Sequence, residues 1–216
     1  MYKLSPSLLS CDFARLGEEI KILESNNVPY VHIDVMDGLF VPNISIGIPV
    51  VECLRKITDI VLDTHLMIDR PERYIKQFAA AGSDIINFHA EATEKGAQII
   101  DEIHALGKRA GVTIKPKTSP KTIVPYLDKV DLVLVMSVEP GFGGQGLIPE
   151  TLENVRWLAE YKKANGCRFE LEIDGGVKLD NLEEVKQAGA EVIVAGSAIF
   201  KGDTAANIKA FNAMLR

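Results

Sequence analysis

Two histidines and several carboxylates fall at spacings that can hold a divalent cation. His32-Ile33-Asp34-Val35-Met36-Asp37-Gly38 and Asp63-Thr64-His65-Leu66-Met67 each run from an apolar segment to a polar end, and Asp174-Gly175-Gly176 closes a third such segment. Alternate residues of a strand share a side, so His32 groups with Asp34, and Asp63 with His65. If these segments end on one rim, His32, Asp34, His65 and Asp174 converge there. Imidazole with carboxylate suits Zn²⁺, Fe²⁺, Mn²⁺ or Co²⁺. Two imidazoles argue against Mg²⁺ and Ca²⁺, which prefer oxygen. An HxD pair alone says little; the four residues together carry the reading.

Glycines form a second constellation. Glu139-Pro140-Gly141-Phe142-Gly143-Gly144-Gln145, Gly175-Gly176 and Gly196-Ser197 each follow an apolar run. Glycine lets backbone N–H groups approach a ligand with no Cβ in the way, and clustered N–H groups bind anions. A small phosphorylated ligand fits without any Lys or Arg. Met36, Met67 and Met136 lie near the ends of three runs and read either as core or as a soft apolar wall. His89, beside Glu91, reads more readily as a supporting histidine than as a ligand contact. His104 falls in a helical stretch and reads as a surface residue.

Eight short apolar runs are available to position these groups: Leu4–Leu8, Tyr30–Val35, Ile60–Leu66, Asp84–His89, Ala110–Ile114, Leu132–Val138, Phe169–Ile173 and Glu191–Ala195. Most are rich in Val and Ile, as buried parallel strands are. Amphipathic stretches separate them. Asp12 can cap a helix from Phe13 that buries Leu16, Ile20 and Leu23. Pro71 opens a segment ending at Ala81-Gly82, and Pro149 one that runs through Trp157 towards Gly166. Asp180 can cap Asn181–Ala188, which closes at Gly189. A short segment at Pro49–Lys56 and helices near Thr93–Leu106, Pro120–Leu127 and Thr204–Leu215 complete the set. Alternation of this kind predicts a (β/α)8 TIM barrel, an α/β fold, with residues 1–216 as a single domain. A doubly wound sheet would carry a Gly-rich turn after the first strand, and Ser7-Leu8-Leu9-Ser10-Cys11-Asp12 has no glycine. In a barrel the strand C-termini carry the active site, and the loops after strands seven and eight hold phosphate.

Composition narrows the function classes. The chain has 216 residues, 47% hydrophobic and 25% charged, with 24 Lys+Arg against 30 Asp+Glu and a net charge of −6. No basic cluster offers a nucleic-acid surface. The most apolar run, Leu132–Val138, is far short of the ~20 residues of a membrane span. No secretory leader is expected. Cys11, Cys53 and Cys167 are far apart and odd in number, so reduced thiols in the cytoplasm are expected.

The combination closely resembles the ribulose-phosphate 3-epimerase family over nearly the whole chain. The resemblance rests on Ser5-Pro6-Ser7-Leu8-Leu9-Ser10 with Asp12-Phe13, His32–Gly38, Phe40-Val41-Pro42-Asn43, Asp63–Met67, Glu139–Gln145, Glu172–Val177 and Ala195-Gly196-Ser197-Ala198, in order. It implies a metal-dependent isomerase that interconverts D-ribulose 5-phosphate and D-xylulose 5-phosphate. It implies His32, Asp34, His65 and Asp174 as metal ligands. Asp34 and Asp174 would move protons on opposite faces of the substrate through a metal-stabilised 2,3-enediolate. Ser7, His65, Met36, Met67 and Met136 would line the pocket. Gly141 and Phe142 would also contact the substrate, and the backbone at Gly143, Gly144, Gly175, Gly176, Gly196 and Ser197 would cradle its phosphate. The implied cofactor is one divalent ion, Zn²⁺ or Fe²⁺ ahead of Mn²⁺ or Co²⁺, with no organic cofactor, and the implied assembly is a homo-oligomer, dimeric or hexameric. Ser137, Lys115 and Lys117 depart from residues common in the family and touch none of the implied ligands. The nearest rival is a sister 3-epimerase acting on allulose 6-phosphate, in which DGS and GFAGQ are expected in place of Asp174-Gly175-Gly176 and Gly141–Gln145. The related decarboxylase and hexulose-phosphate synthase group carries DxKxxD on strand three, which Asp63–Ile68 lacks. A catalytically dead barrel would be marked by a lost ligand, and all four are present.

Overall fold

The computed structural model describes residues 2–216. Among them are eight strands: β1 (Lys3–Pro6), β2 (Tyr30–Met36), β3 (Val61–Met67), β4 (Ile85–His89), β5 (Arg109–Ile114), β6 (Leu132–Met136), β7 (Glu170–Asp174) and β8 (Val192–Ala195). They pair in the order β1-β8-β7-β6-β5-β4-β3-β2, every pair parallel. One further parallel bridge, Ser7 to His32, draws the two ends of the sheet together. The fold is a (β/α)8 barrel, as the alternation predicts.

Helices follow the strands: α1 (Leu16–Ser25), α2 (Ile48–Arg55), α3 (Ile75–Ala81), α4 (Gly96–Ala105), α5 (Thr151–Asn165), α6 (Leu182–Ala188), α7 (Ser197–Phe200) and α8 (Thr204–Leu215). Several signals act one turn away from where the sequence places them. Asp12 caps a 3-10 turn at Phe13–Arg15, accepting from Ala14 N–H at 3.0 Å, and α1 grows from that turn. Pro71 likewise opens a 3-10 turn, Pro71–Arg73, ahead of α3. At α6 the expected Asp180 cap is not used; Asn181 holds the N-cap position and its Oδ1 accepts from Lys178 N–H. The expected helix at Pro120–Leu127 is a 3-10 segment, Pro120–Tyr126, with Pro125 inside it. Proline has no N–H to donate and crowds the preceding turn, so an α-helix does not propagate there. β1 ends at Pro6, short of the expected Leu8, because Leu8–Ser10 winds into a 3-10 turn whose cap is Ser7.

The sheet separates two apolar regions. Outward residues such as Val31, Ile33, Leu62, Ile86, Val112, Val133, Leu171 and Ile193 pack beneath the helices in one large cluster. Inside the barrel, Ile85, Leu132, Leu134, Met136 and Val192 form a smaller one. The rest of the interior is polar. Strand period two sends His32, Asp34 and Met36 inward from β2. Register sets His32 beside Asp63, Asp34 beside His65, and Met36 beside Met67. The barrel centre thus carries imidazoles and carboxylates where aliphatic layers are usual.

Candidate active site

The inward residues of β2, β3 and β7 meet at the C-terminal mouth of the barrel. One donor atom from each of His32, Asp34, His65 and Asp174 lies within 4.8 Å of all the others. His32 Nε2 is 3.2 Å from His65 Nδ1, 3.5 Å from Asp34 Oδ1 and 4.0 Å from Asp174 Oδ2. His65 Nδ1 is 3.2 Å from Asp34 Oδ1. Donors bound at 2.0–2.1 Å in a tetrahedral site sit about 3.4 Å apart, so this spacing fits a four-coordinate divalent ion. His32 Nδ1 is turned to Asp63 Oδ2 at 2.7 Å, which leaves Nε2 free to face the cluster.

Electrostatics point the same way. Burial works against charge on His32, yet Asp34 and then Asp63 outweigh it and raise its pKa well above the ordinary value. Burial also opposes ionisation of Asp34, and His32 followed by His65 overcomes it, holding that carboxyl far below the usual range. Asp174 goes the other way, up to about 6, through burial and the nearby charge of Asp34. The cluster therefore attracts positive charge, which a proton on His32 can supply and a divalent cation can replace.

A second polar layer lies deeper. Glu172 and Asp63 are fully buried beside His32, and Glu172 Oε1, Glu172 Oε2 and Asp63 Oδ1 have no hydrogen-bond partner. Burial, then the charge of Asp63, drives the Glu172 pKa well above the ordinary value. The role of Glu172 escapes sequence reading. Its signal is the alternation Glu170-Leu171-Glu172-Ile173-Asp174, which puts Glu172 on the same side as Asp174. His89 belongs to the same buried region, and burial takes its pKa down to about 4.

The mouth opens into a pocket lined by Ser7, Asp34, Asp174, Met36, Met67 and Met136 at one end. Gly141, Phe142, Gly143, Gly144, Gly175, Gly176, Gly196 and Ser197 line it too, and so does Lys178, a cation that the glycine pattern alone does not call for. Every expected site residue except His32 and His65 borders this space. Those two are fully buried beneath it and reach it through the cluster. Ser7 Oγ donates to Asp34 Oδ2 at 2.5 Å. Ser45 Oγ donates to the Asp34 carbonyl at 2.5 Å and accepts from Met36 N–H at 2.9 Å, fixing the end of β2. The three methionines are each less than 5% exposed, so they are at once core and pocket wall.

Backbone conformation shapes the glycine end. Gly176 has φ +67°, and a Cβ there would collide with the backbone of Gly146 and Leu147. A Cβ on Gly196 would lie 2.5 Å from Ser10 Oγ. Gly196 also caps α7, a short helix absent from the sequence reading, whose first N–H groups have no carbonyl within their own helix. Short helices after strand eight hold phosphate in this fold. Ser137 ties β6 to β7, its Oγ donating to Gly175 O at 2.7 Å, a contact that needs only a hydroxyl. Asn43 Nδ2 donates to Gly141 O at 2.8 Å and links the loops after β2 and β6.

Known proteins with the same pattern are abundant. The profile of the "Ribulose-phosphate 3 epimerase family" matches residues 3–200. A Bacillus subtilis protein named ribulose-phosphate 3-epimerase is 46% identical over 201 residues, 93% of this chain and 93% of its own. A Mycobacterium tuberculosis protein of the same name is 46% identical over 200 residues, 93% of this chain and 86% of its own. Among solved structures, a 3-hexulose-6-phosphate synthase superposes with a TM-score of 0.74 at 21% identity, covering 99% of this chain and all of its own. That last likeness concerns the barrel fold alone.

Proposed function

The chain belongs to the ribulose-phosphate 3-epimerase family, and from that premise we propose that it interconverts D-ribulose 5-phosphate and D-xylulose 5-phosphate with a bound divalent ion. The observation that carries the reading is the four-donor cluster of His32, Asp34, His65 and Asp174 opening directly onto a glycine-lined pocket. Names of the curated relatives favour the pentose phosphate over allulose 6-phosphate.

Epimerisation at C3 removes a proton beside the C2 ketone and returns one to the other face. A single base reaches one face only, so two groups are required. Asp34 and Asp174 project from β2 and β7 and occupy different electrostatic surroundings. One carboxylate takes the C3 proton while the other, protonated, delivers its proton from the opposite side; in the reverse direction they exchange roles. Ser7 Oγ orients Asp34. Met36, Met67 and Met136 keep water from the reacting carbon. Backbone N–H groups near Gly144, Gly176 and Ser197 would hold the phosphate, and Lys178 lines the same pocket. An ion on the four donors would supply Lewis acidity for negative charge developing on the substrate oxygens. Zn²⁺ and Fe²⁺ are the first candidates for this nitrogen–oxygen donor set, followed by Mn²⁺ and Co²⁺.

Residues 1–216 are taken as one barrel unit, working in a reducing cytoplasm where Cys11, Cys53 and Cys167 stay free. No helix among the described residues is long and apolar enough to cross a membrane. The homo-oligomer implied by the resemblance is open to light scattering. The deciding experiment is a coupled assay of D-ribulose 5-phosphate on metal-stripped protein, repeated after each divalent ion is returned, with D-allulose 6-phosphate in parallel. Turnover of the pentose that disappears on stripping and returns with one ion is expected. Preference for the hexose would overturn the substrate, and no turnover with any ion would overturn the enzyme reading.

A further inference from the structure

His89 stands outside the four-donor cluster and takes no part in the proton transfers. It ends β4 with its side chain fully buried, and its Nε2 lies 2.9 Å from Nε2 of His65. The rings are 26° from coplanar with centroids 4.9 Å apart. That is an edge-to-edge meeting, which suits an N–H···N hydrogen bond better than a face-on stack. On its far side, His89 Nδ1 is 3.3 Å from Glu91 Oε2, and Glu91 Oε1 accepts the Lys115 backbone N–H at 2.8 Å. Phe40 packs on the His89 ring at 4.8 Å, and the Lys115 ammonium sits 4.0 Å above Phe40.

Donor and acceptor counting orients the chain. The ionised Glu91 carboxylate only accepts, so His89 Nδ1 carries a hydrogen. A neutral His89 then has a bare Nε2, which must accept. His65 Nε2–H is the donor facing it, and this leaves the lone pair of His65 Nδ1 directed at Asp34 and His32. Two protonated rings placed edge to edge could not share this contact. His32 receives the corresponding support from Asp63 directly; His65 receives it from a carboxylate one ring removed.

We propose that His89 and Glu91 are positioning residues, a chain that fixes the tautomer and ring orientation of His65 and so sets the affinity of the cluster for a divalent cation. The proposal rests on the reading of His65 as a metal ligand. Outer partners of metal-bound histidines contribute about 10- to 100-fold in metal affinity.

The test is Zn²⁺ affinity of metal-stripped protein, measured by competition with a chromophoric chelator, together with the visible spectrum of the Co²⁺-loaded form. His89→Leu should bind Zn²⁺ about 10- to 100-fold more weakly and shift the Co²⁺ bands. His89→Gln should recover most of the affinity, because its Oε1 can accept from His65 Nε2–H near the original position. Glu91→Gln should lose only a few-fold. Equal affinity in His89→Leu and the parent protein overturns the chain, as does equal loss in the Leu and Gln variants. If His89→Leu does not fold, Glu91→Ala at its exposed position replaces it; weakened Zn²⁺ binding supports the chain and unchanged binding overturns it. A parent protein that binds no divalent ion overturns the metal-site reading itself, a result distinct from failure of the chain alone.

Discussion

Asp34 and Asp174 are the same side chain in opposed surroundings, and that difference has a measurable sign. In the metal-free protein Asp174 has a pKa near 6 against an ordinary 3.8, through burial and the charge of Asp34. The folded protein therefore holds this proton more tightly than the unfolded chain does. Its favourable contribution is complete below the ordinary value, declines as pH rises to about 6, and is lost above that. Asp174→Asn removes the ionisation. Metal-stripped Asp174→Asn should thus melt higher than the stripped parent at pH 7.5, with the gap closing towards pH 4. On the proposed function the same substitution deletes an acid–base group and a metal ligand, so kcat should fall by at least about 10²- to 10⁴-fold. Thermal melts across pH and the coupled assay check the two halves. A variant that is less stable at pH 7.5, or one that keeps a tenth of the activity, contradicts the role given to Asp174. Zn²⁺ affinity should weaken as pH falls, since His32 and Asp174 must release protons to bind it.

At the scale of elements, the phosphate end depends on how closely the loops after β6 and β7 approach. Gly176 sits against the backbone of Gly146 and Leu147 with φ +67°, so Gly176→Ala must push those loops apart. KM should rise about 10- to 100-fold, the equivalent of one or two lost charge-assisted hydrogen bonds, with kcat altered less. Inhibition by inorganic phosphate should weaken in parallel; an unchanged phosphate inhibition constant would place the anion elsewhere. The elements themselves were largely legible, because short Val/Ile runs and 3.6-residue periodicity are local properties. The cluster was legible for the same reason: His32 with Asp34 needs only strand alternation, and Gly175-Gly176 marks the end of its strand. What escaped depends on the third dimension. Pro125 converts an amphipathic stretch into a 3-10 segment. The partnership of His89 with His65 needs the register of β3 against β4, in which His65 pairs with Asn87, and no residue type announces it. Glu172 alternates with Asp174 and so shares its side, but alternation does not say that its carboxyl lies buried beside Asp63 with no hydrogen-bond partner.

The whole molecule divides its tasks between the two ends of the barrel. The four-donor cluster crowds the C-terminal mouth, where buried carboxylates repel, and in the layer beneath it polar atoms lie unpartnered, an arrangement that costs stability. At the opposite end, the first residues of four strands form a compact network. Tyr30 Oη accepts from Lys3 Nζ at 2.9 Å and Arg109 Nη1 at 2.8 Å, and donates to Glu170 Oε2 at 2.7 Å. Lys3 also bonds to Glu170 Oε1, and both cations lie over the Tyr30 ring, at 4.6 Å and 5.2 Å. The network ties β1, β2, β5 and β7 together across the base, where residues in this fold serve stability. Tyr30→Phe keeps the ring and its cation contacts and removes only the hydroxyl. The three partners retain one another and some solvent, so the cost should be about 1 kcal/mol. For a chain of this size that lowers Tm by about 2–4 °C. Metal content and kcat/KM should stay at parent values, because the hydroxyl lies at the end of the barrel opposite the four donors. Calorimetry with steady-state kinetics on the same preparation reads both quantities. A loss of kcat/KM without a loss of Tm would show that the base of the barrel is coupled to the chemistry at its mouth, and the division of tasks argued from strand polarity would fail.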